Sequence, residues 1–395
     1  MKYNFDEVVN RRNTNCMKWD GGELLKQMGI TNRFDEETIS VFTADMDFKC
    51  PPEVIKAVKE VAEFGVYGYP YLKKDSPYYD IVINWFKKYN WNIQREEIVP
   101  IQGTLDGIQK AIRLFTKAGD GVIIFTPVYG VFQMVIEGGE RTVVRCQLKY
   151  DESGRTSIDF EKFEQLAKEA SNTAVLFCNP QNPSGVIWSE EELKHVVEIC
   201  RKYDLLLISD EVHCDLTRMG LTYHPMATCI GGYDKFFAFT APNKTFNIAG
   251  FQVCNVVVPD EKVREQFATL YSFHSPSQFG IVACMAAYGK SADWLEELRT
   301  YIDGNMDWAL EFMKEHLPKV KCLRPEATYC LWMNFEEYGY SETELFDRIM
   351  NKANVALKAG SAFDPDGGQQ YMRICMPSAR SEIQTAFQRM AEAIK

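Results

Sequence analysis

Three short, unbroken apolar runs constrain this chain more than any other feature. They cover residues 121–125, 173–178 and 205–208, and each stops on polar or turn-forming residues, at Thr126-Pro127, Asn179-Pro180 and Ser209-Asp210-Glu211. A strand with one wet face alternates apolar and polar side chains, whereas a continuous apolar run marks a strand covered on both faces. Such strands pair in parallel and need crossover segments, usually helices, between them. The sequence supplies those segments. Residues 189–203 place Ser189 three positions before Glu192, the spacing of a capping box, and Leu193, Val196, Val197 and Cys200 recur at helical period. Residues 159–170 put Phe160, Phe163, Leu166 and Ala167 on one helical face.

The alternation continues along the chain. Residues 253–258, 329–335 and 371–374 read as strands, and 261–271, 279–288, 294–316, 341–352 and 381–394 as helices. The pattern predicts an α/β architecture, a mostly parallel central sheet sandwiched by helices. At 395 residues the chain is too long for one small core. We expect a large domain over 45–285 and a smaller α/β domain built from both chain ends, 1–44 and 286–395.

Charge and composition narrow the function classes. There are 44 basic and 55 acidic side chains, a net charge of −11, which argues against a nucleic-acid partner. No run approaches the ~20 apolar residues of a membrane span, so no membrane partner is expected. Residues 1–7 lack an apolar signal-peptide core, and a cytoplasmic location is the expectation. The twelve cysteines include no CxxC pair and mostly sit in apolar runs. They read as core thiols in a reducing compartment, not as a disulfide framework or a zinc site.

Ligands of open α/β sheets bind at the carboxyl ends of the strands. Residues 179–185, Asn-Pro-Gln-Asn-Pro-Ser-Gly, follow one apolar run; Asp210, Glu211 and His213 follow the next. Taken singly, the first is a turn and the carboxylates are caps. Lys244 lies between the apolar stretches 236–239 and 248–251. Apolar surroundings lower a lysine pKa and make its amine a nucleophile.

The order Asn-Pro-x-Asn-Pro-x-Gly, Ser-Asp-Glu, Lys-Thr-Phe-Asn resembles the fold-type I pyridoxal 5'-phosphate enzymes of the class I/II aminotransferase superfamily. Residues 209–216 and 241–250 are more similar still to the MalY/PatB-type cystathionine β-lyase branch, as are 11–19, 44–48, 65–69 and 126–129. The resemblance spans nearly the whole chain. It implies that Lys244 holds the cofactor covalently and then removes the substrate Cα proton. It implies that Asp210 pairs with the cofactor's ring nitrogen, that Asn182 and His213 flank its phenolic oxygen, and that Tyr129 lies against its face. Gly103, Thr104 and Leu105 would receive the phosphate at a helix N-terminus, next to Asn243. Arg373 would clamp the substrate carboxylate, with Ala44, Asn182 and Tyr129 bordering the substrate. Tyr69 would reach the phosphate and catalytic lysine of a neighbouring subunit, so the implied active unit is a homodimer with shared sites. No metal is implied.

Three positions depart from the usual superfamily pattern. Asn243 replaces the usual Ser before the lysine, Cys375 replaces the Asn two residues after the arginine, and Gln252 stands where a phosphate-binding Arg is frequent. The last departure is itself similar to the MalY/PatB branch. The implied activity is carbon–sulfur β-elimination of cystathionine, cysteine or a related cysteine S-conjugate, giving thiol, pyruvate and ammonia. The rivals are an aminotransferase on the same fold and a regulatory partner-binding protein. Against the latter stands the intact set Lys244, Asp210, Asn182, Tyr129 and Arg373.

Overall fold

The apolar runs form the middle of a seven-stranded sheet, ordered Ile98–Ile101, Cys254–Val257, Phe236–Thr240, Leu206–Asp210, Asn172–Cys178, Gly121–Thr126 and Thr142–Gln147. The structure, a computed structural model, describes residues 1–27, 30–271 and 275–394. Only Cys254–Val257 runs against its neighbours; the other pairings are parallel. Period-two alternation sends successive side chains into two separate cores. Ile123, Phe125, Val175, Phe177 and Leu207 enter one; Val122, Ile124, Ala174, Leu176 and Ile208 enter the other. Helices Phe160–Lys168, Glu190–Lys202 and Gln278–Lys290 cover the first face, contributing Phe163, Val196 and Ala283. Thr104–Phe115, Val131–Gly138 and Glu261–Thr269 cover the second with Ile108, Phe132 and Phe267. Of these, the buried Phe163, Val196, Ile108, Phe132 and Phe267 side chains each contribute about 1.5–3 kcal/mol. The Ser189–Glu192 capping box is formed, the Glu192 N–H donating to Ser189 Oγ at 3.2 Å and the Ser189 N–H to Glu192 Oε2 at 2.8 Å.

A second sheet, antiparallel and three-stranded, is ordered Cys330–Asn334, Tyr371–Cys375, Lys358–Ala359. The N-terminal strand Ile39–Ser40 pairs in parallel with Val355–Ala356, so both ends of the chain meet there. Helices Ala292–His316 and Arg380–Ile394 pack together beside it. The two sheets are joined where Val128 N–H donates to the Phe363 carbonyl at 3.0 Å. Close by, a Cβ on Gly130 would stand 2.0 Å from the Ala362 carbonyl oxygen, so only glycine permits that approach.

Several elements differ from expectation. The apolar flank 236–239 is itself the strand Phe236–Thr240, and the run at 205–208 extends as a strand to Asp210. Ile98–Ile101 is an edge strand, which is why it tolerates Pro100. Residues 341–352, expected as one helix, begin as the α-helix Glu342–Phe346 and widen into a π-helical segment, Asp347–Lys352.

Candidate active site

Parallel pairing places the carboxyl ends of three neighbouring strands side by side. Cys178, Asp210 and Phe239 stand in register, so the loop from Asn179, the carboxylate of Asp210 and the approach to Lys244 converge. The Asn179 N–H donates to the Asp210 carbonyl and the Glu211 N–H to that of Phe239, both at 2.9 Å, continuing the ladder past the strand ends. Asp210 is buried and accepts from the Val212 N–H at 3.3 Å. Burial raises its pKa to about 6, against lowering by that N–H and by Lys244. His213 is buried with Nδ1 unpartnered; burial, then Lys244 and Arg373, depress it to about 3. It is therefore a neutral imidazole at physiological pH. Asn182 is buried with Oδ1 unpartnered. Tyr129 is half-buried, its ring edge-on to Phe132.

Lys244 lies in the short helix Pro242–Thr245, and its Nζ donates to the Ala44 carbonyl at 2.7 Å. Burial lowers its pKa, opposed chiefly by Asp45. The neighbours of Lys244 in the sequence hold it in place. Thr245 Oγ1 donates to Asp215 Oδ2 at 3.0 Å. Asn247, left-handed at φ 56°, donates Nδ2 to the carbonyls of Met46 at 3.1 Å and Phe48 at 2.7 Å. The Lys-Thr-Phe-Asn spacing thus fastens the lysine to the 44–48 loop. That loop is fixed in turn by Asp47, whose buried carboxylate accepts from Lys18 Nζ (2.6 Å), Arg11 Nη1 (2.9 Å), Trp19 Nε1 (2.8 Å) and Ser378 Oγ (2.6 Å). Burial raises the Asp47 pKa, but Lys18 and these donors prevail and keep it below the ordinary value.

Gly103 and Gln252 meet at the same end of the sheet. Gly103 caps the helix Thr104–Phe115 at φ 68°, and Gln252 is left-handed at φ 54° just before the antiparallel strand. A Cβ on Gly103 would lie 3.1 Å from Gln252 Oε1. A bare helix N-terminus whose capping residue carries no side chain suits an anion. Asn243 Oδ1 has no partner.

Arg373 is 2% exposed, and its Nε and Nη1 have no partner while Nη2 donates to the Phe42 carbonyl. Burial opposes its charge, yet Cys375, Cys330, Tyr329 and Tyr129 together outweigh burial and raise its pKa. A buried guanidinium with two free donors can grip a carboxylate.

Tyr69 does not join this cluster: its side chain is 101% exposed within the chain, beside exposed Val66, Tyr67 and Tyr71. Leu105 follows Thr104 into the first turn of its helix. Among the described residues no group of three His, Cys, Asp or Glu side chains could hold a metal, and no helix is long and apolar enough to cross a membrane.

Two buried carboxylates beside the site have no role in the sequence reading. Asp47 is one; its motif partners at 11–19 and 44–48 were visible, but not their pairing. Glu211 is the other; it follows its apolar run and reads there as a cap. It is wholly buried, its Oε1 accepts from Ser209 Oγ (2.7 Å) and Met226 N–H (3.1 Å), and burial raises its pKa to about 8. Glu211 Oε2 and Asn179 Oδ1 both lack partners. Burial thus favours the protonated form of Glu211 against Ser209, Met226 and Asn179, which lower its pKa.

Residues 38–390 match the family described as aminotransferase class I and II. The chain is 34% identical to cystathionine beta-lyase PatB of Bacillus subtilis over 99% of its own length and 100% of that protein. Among solved structures it is similar to cystalysin from Treponema denticola, which contains a pyridoxal 5'-phosphate cofactor, with a TM-score of 0.91 and 33% identity over 100% of this chain and 99% of that one. It is also similar to the PLP-bound C-S lyase from Staphylococcus hominis, with a TM-score of 0.90, 30% identity and 99% of both chains covered.

Proposed function

Because the chain belongs to the class I and II aminotransferase family, in its MalY/PatB-type cystathionine β-lyase branch, we propose that it is a pyridoxal 5'-phosphate-dependent carbon–sulfur β-lyase. Its substrates are cystathionine, cysteine or a related cysteine S-conjugate. The observation that carries this reading is a set of buried, unpartnered polar atoms: His213 Nδ1 and Arg373 Nε and Nη1, whose groups interact electrostatically with Lys244, and Asn182 Oδ1 on the loop after the strand next to that of Asp210. Left unpaired, each costs ~1–3 kcal/mol, so their convergence signals a polar guest. The side-chain-free cap at Gly103 adds room for an anion. These groups therefore fit the cofactor. When bound, pyridoxal 5'-phosphate supplies the electron sink that makes a substrate Cα proton acidic and lets a β-sulfur depart.

The chain's own groups do the rest. Lys244 Nζ would hold the cofactor covalently and, once freed as an amine of lowered pKa, would accept the Cα proton. Asp210, ionised above about 6, would pair with the ring nitrogen and keep it protonated. Asn182 and neutral His213 would hold the phenolic oxygen, with Tyr129 against the ring. The N–H groups of Gly103, Thr104 and Leu105, with the amides of Gln252 and Asn243, would hold the phosphate. Arg373 fixes the α-carboxylate beside Ala44, Asn182 and Tyr129, which orients the Cα–H toward Lys244.

The working unit in this reading is a homodimer, in which Tyr69 of each subunit completes the other's site. A fully exposed tyrosine amid exposed Val66, Tyr67 and Tyr71 supports that reading. We divide each subunit into a large domain, 45–285, and a smaller one from 1–44 and 286–395. Its twelve free cysteines suit a reducing cytoplasm. Incubation with cystathionine tests the activity. The native enzyme should release free thiol, and Lys244→Ala should release none while keeping the native circular-dichroism spectrum. Thiol release by that variant at the native rate would overturn the assignment.

A further inference from the structure

Close to the clamp arginine lies a pair of thiols that none of these roles uses. Cys330 and Cys375 are wholly buried and stand opposite each other on adjacent antiparallel strands, with their sulfurs 3.7 Å apart. Among the described residues no other two cysteine sulfurs are in hydrogen-bond contact. The Met376 N–H donates to the Tyr329 carbonyl, so Cys330 and Cys375 occupy a non-hydrogen-bonded position of the ladder. Opposed α-carbons come within about 4.5 Å at such positions, inside the span a disulfide bridges. Side-chain rotation then suffices to bring the sulfurs to bonding distance. Strand alternation puts Cys375 on the face that carries Arg373. A small solute that reaches the free donors of Arg373 is one residue pair away from the Cys375 sulfur.

We propose that Cys330 and Cys375 form a redox-active dithiol, which a peroxide converts to an intramolecular disulfide beside the carboxylate clamp. Cys375 sulfur attacks one peroxide oxygen, the O–O bond breaks, and hydroxide leaves a sulfenic acid on Cys375. Cys330 sulfur then attacks the Cys375 sulfur, and the hydroxyl departs with the Cys330 proton as water. Two thiols lose two hydrogens, and hydrogen peroxide is reduced to two waters. A dithiol reductant reverses the bond by exchange.

Electrostatics make Cys375 the attacking sulfur. Burial raises its pKa, but the Cys330 thiol, Arg373, Lys18 and Lys244 outweigh burial and lower it, and Cys330 is pushed well above its ordinary value. Cys375 is thus the sulfur that gives up its proton first, and a thiolate there, on the face that carries Arg373, competes with any carboxylate arriving at the guanidinium. The neutral disulfide removes that competitor, so oxidation tightens carboxylate binding.

The test uses the holoenzyme with hydrogen peroxide, and glycine as an amino-acid ligand that cannot undergo β-elimination. Peptide mass analysis should show a Cys330–Cys375 crosslink two hydrogens lighter than the dithiol and reversible by dithiothreitol. The glycine Kd should fall roughly threefold on oxidation. Cys375→Ser should start at the lower Kd and not respond to peroxide. Cys330→Ser should stop at a sulfenic acid on Cys375 that dimedone traps. Oxidation confined to Cys16, Cys50 and Cys322, with no crosslink, would overturn the proposal. A crosslink that leaves the glycine Kd unmoved would overturn its coupling to the clamp. Mass and binding are read without turnover, so failure here is distinguishable from failure of the lyase reading.

Discussion

Single residues at this site are set by burial against pairing. Glu211 is buried with its pKa raised from an unfolded value near 4.3 to about 8, so the folded state binds its proton more tightly. Its contribution is fully present below pH ~4.3 and is lost as pH rises to about 8, a swing of about 5 kcal/mol. Glu211→Gln mimics the protonated acid. It should match the native protein in urea unfolding at pH 5 and exceed it at pH 9; equal loss for both at pH 9 would show that Glu211 is not the buried acid. Arg373→Lys keeps the charge but loses the planar fork. KM should rise about 10–100-fold with a smaller change in kcat, measured in a thiol-release assay. Lys244, Asp210 and Arg373 stood out as candidates in the sequence because their motifs follow the order of the family they resemble; taken singly, a carboxylate at a strand end reads as a cap and a lysine in a loop as solvated. Asp47 was not: its partners Lys18 and Ser378 lie 29 and 331 positions away, and only folding brings them together.

At the scale of elements, the carboxyl ends of strands carry the chemistry and the glycines beside them set clearances. Gly103 combines a φ of 68° with 3.1 Å of clearance to Gln252 for any added Cβ. Gly103→Ala should cost about 1 kcal/mol of stability and weaken cofactor binding about tenfold, read by absorbance titration of the cofactor-free protein. Unchanged affinity would remove the helix N-terminus from the phosphate site. The buried parallel strands were legible because coverage on both faces leaves an unbroken apolar run. Thr142–Gln147 was not; it is an edge strand with partly exposed side chains, and its pattern merges with the loops around it. The helix end at Phe346 was missed for a related reason. Apolar periodicity continues through Ile349 and Met350 while the backbone widens to π geometry.

For the whole molecule, the exposed Tyr69 is the feature that one chain leaves unexplained, and the proposed dimer accounts for it. Mixing Tyr69→Ala with Lys244→Ala subunits, each inactive alone, tests the sharing of sites. After random exchange, one site of each mixed dimer carries both native residues, so about a quarter of native activity should return. No recovery, despite light scattering that shows exchange, would place Tyr69 outside the partner's site. Fold class was readable from the chain because helix and strand periods agree with one architecture throughout. The choice between eliminating sulfur and transferring an amino group was readable only from the motifs of the cystathionine β-lyase branch, because both reactions use the same lysine, carboxylate and arginine on one fold. The assay that separates them supplies cystathionine with no 2-oxo acid and follows pyruvate and free thiol together. The lyase produces the two in equal amounts over many turnovers; product that accumulates only after a 2-oxo acid is added would contradict it.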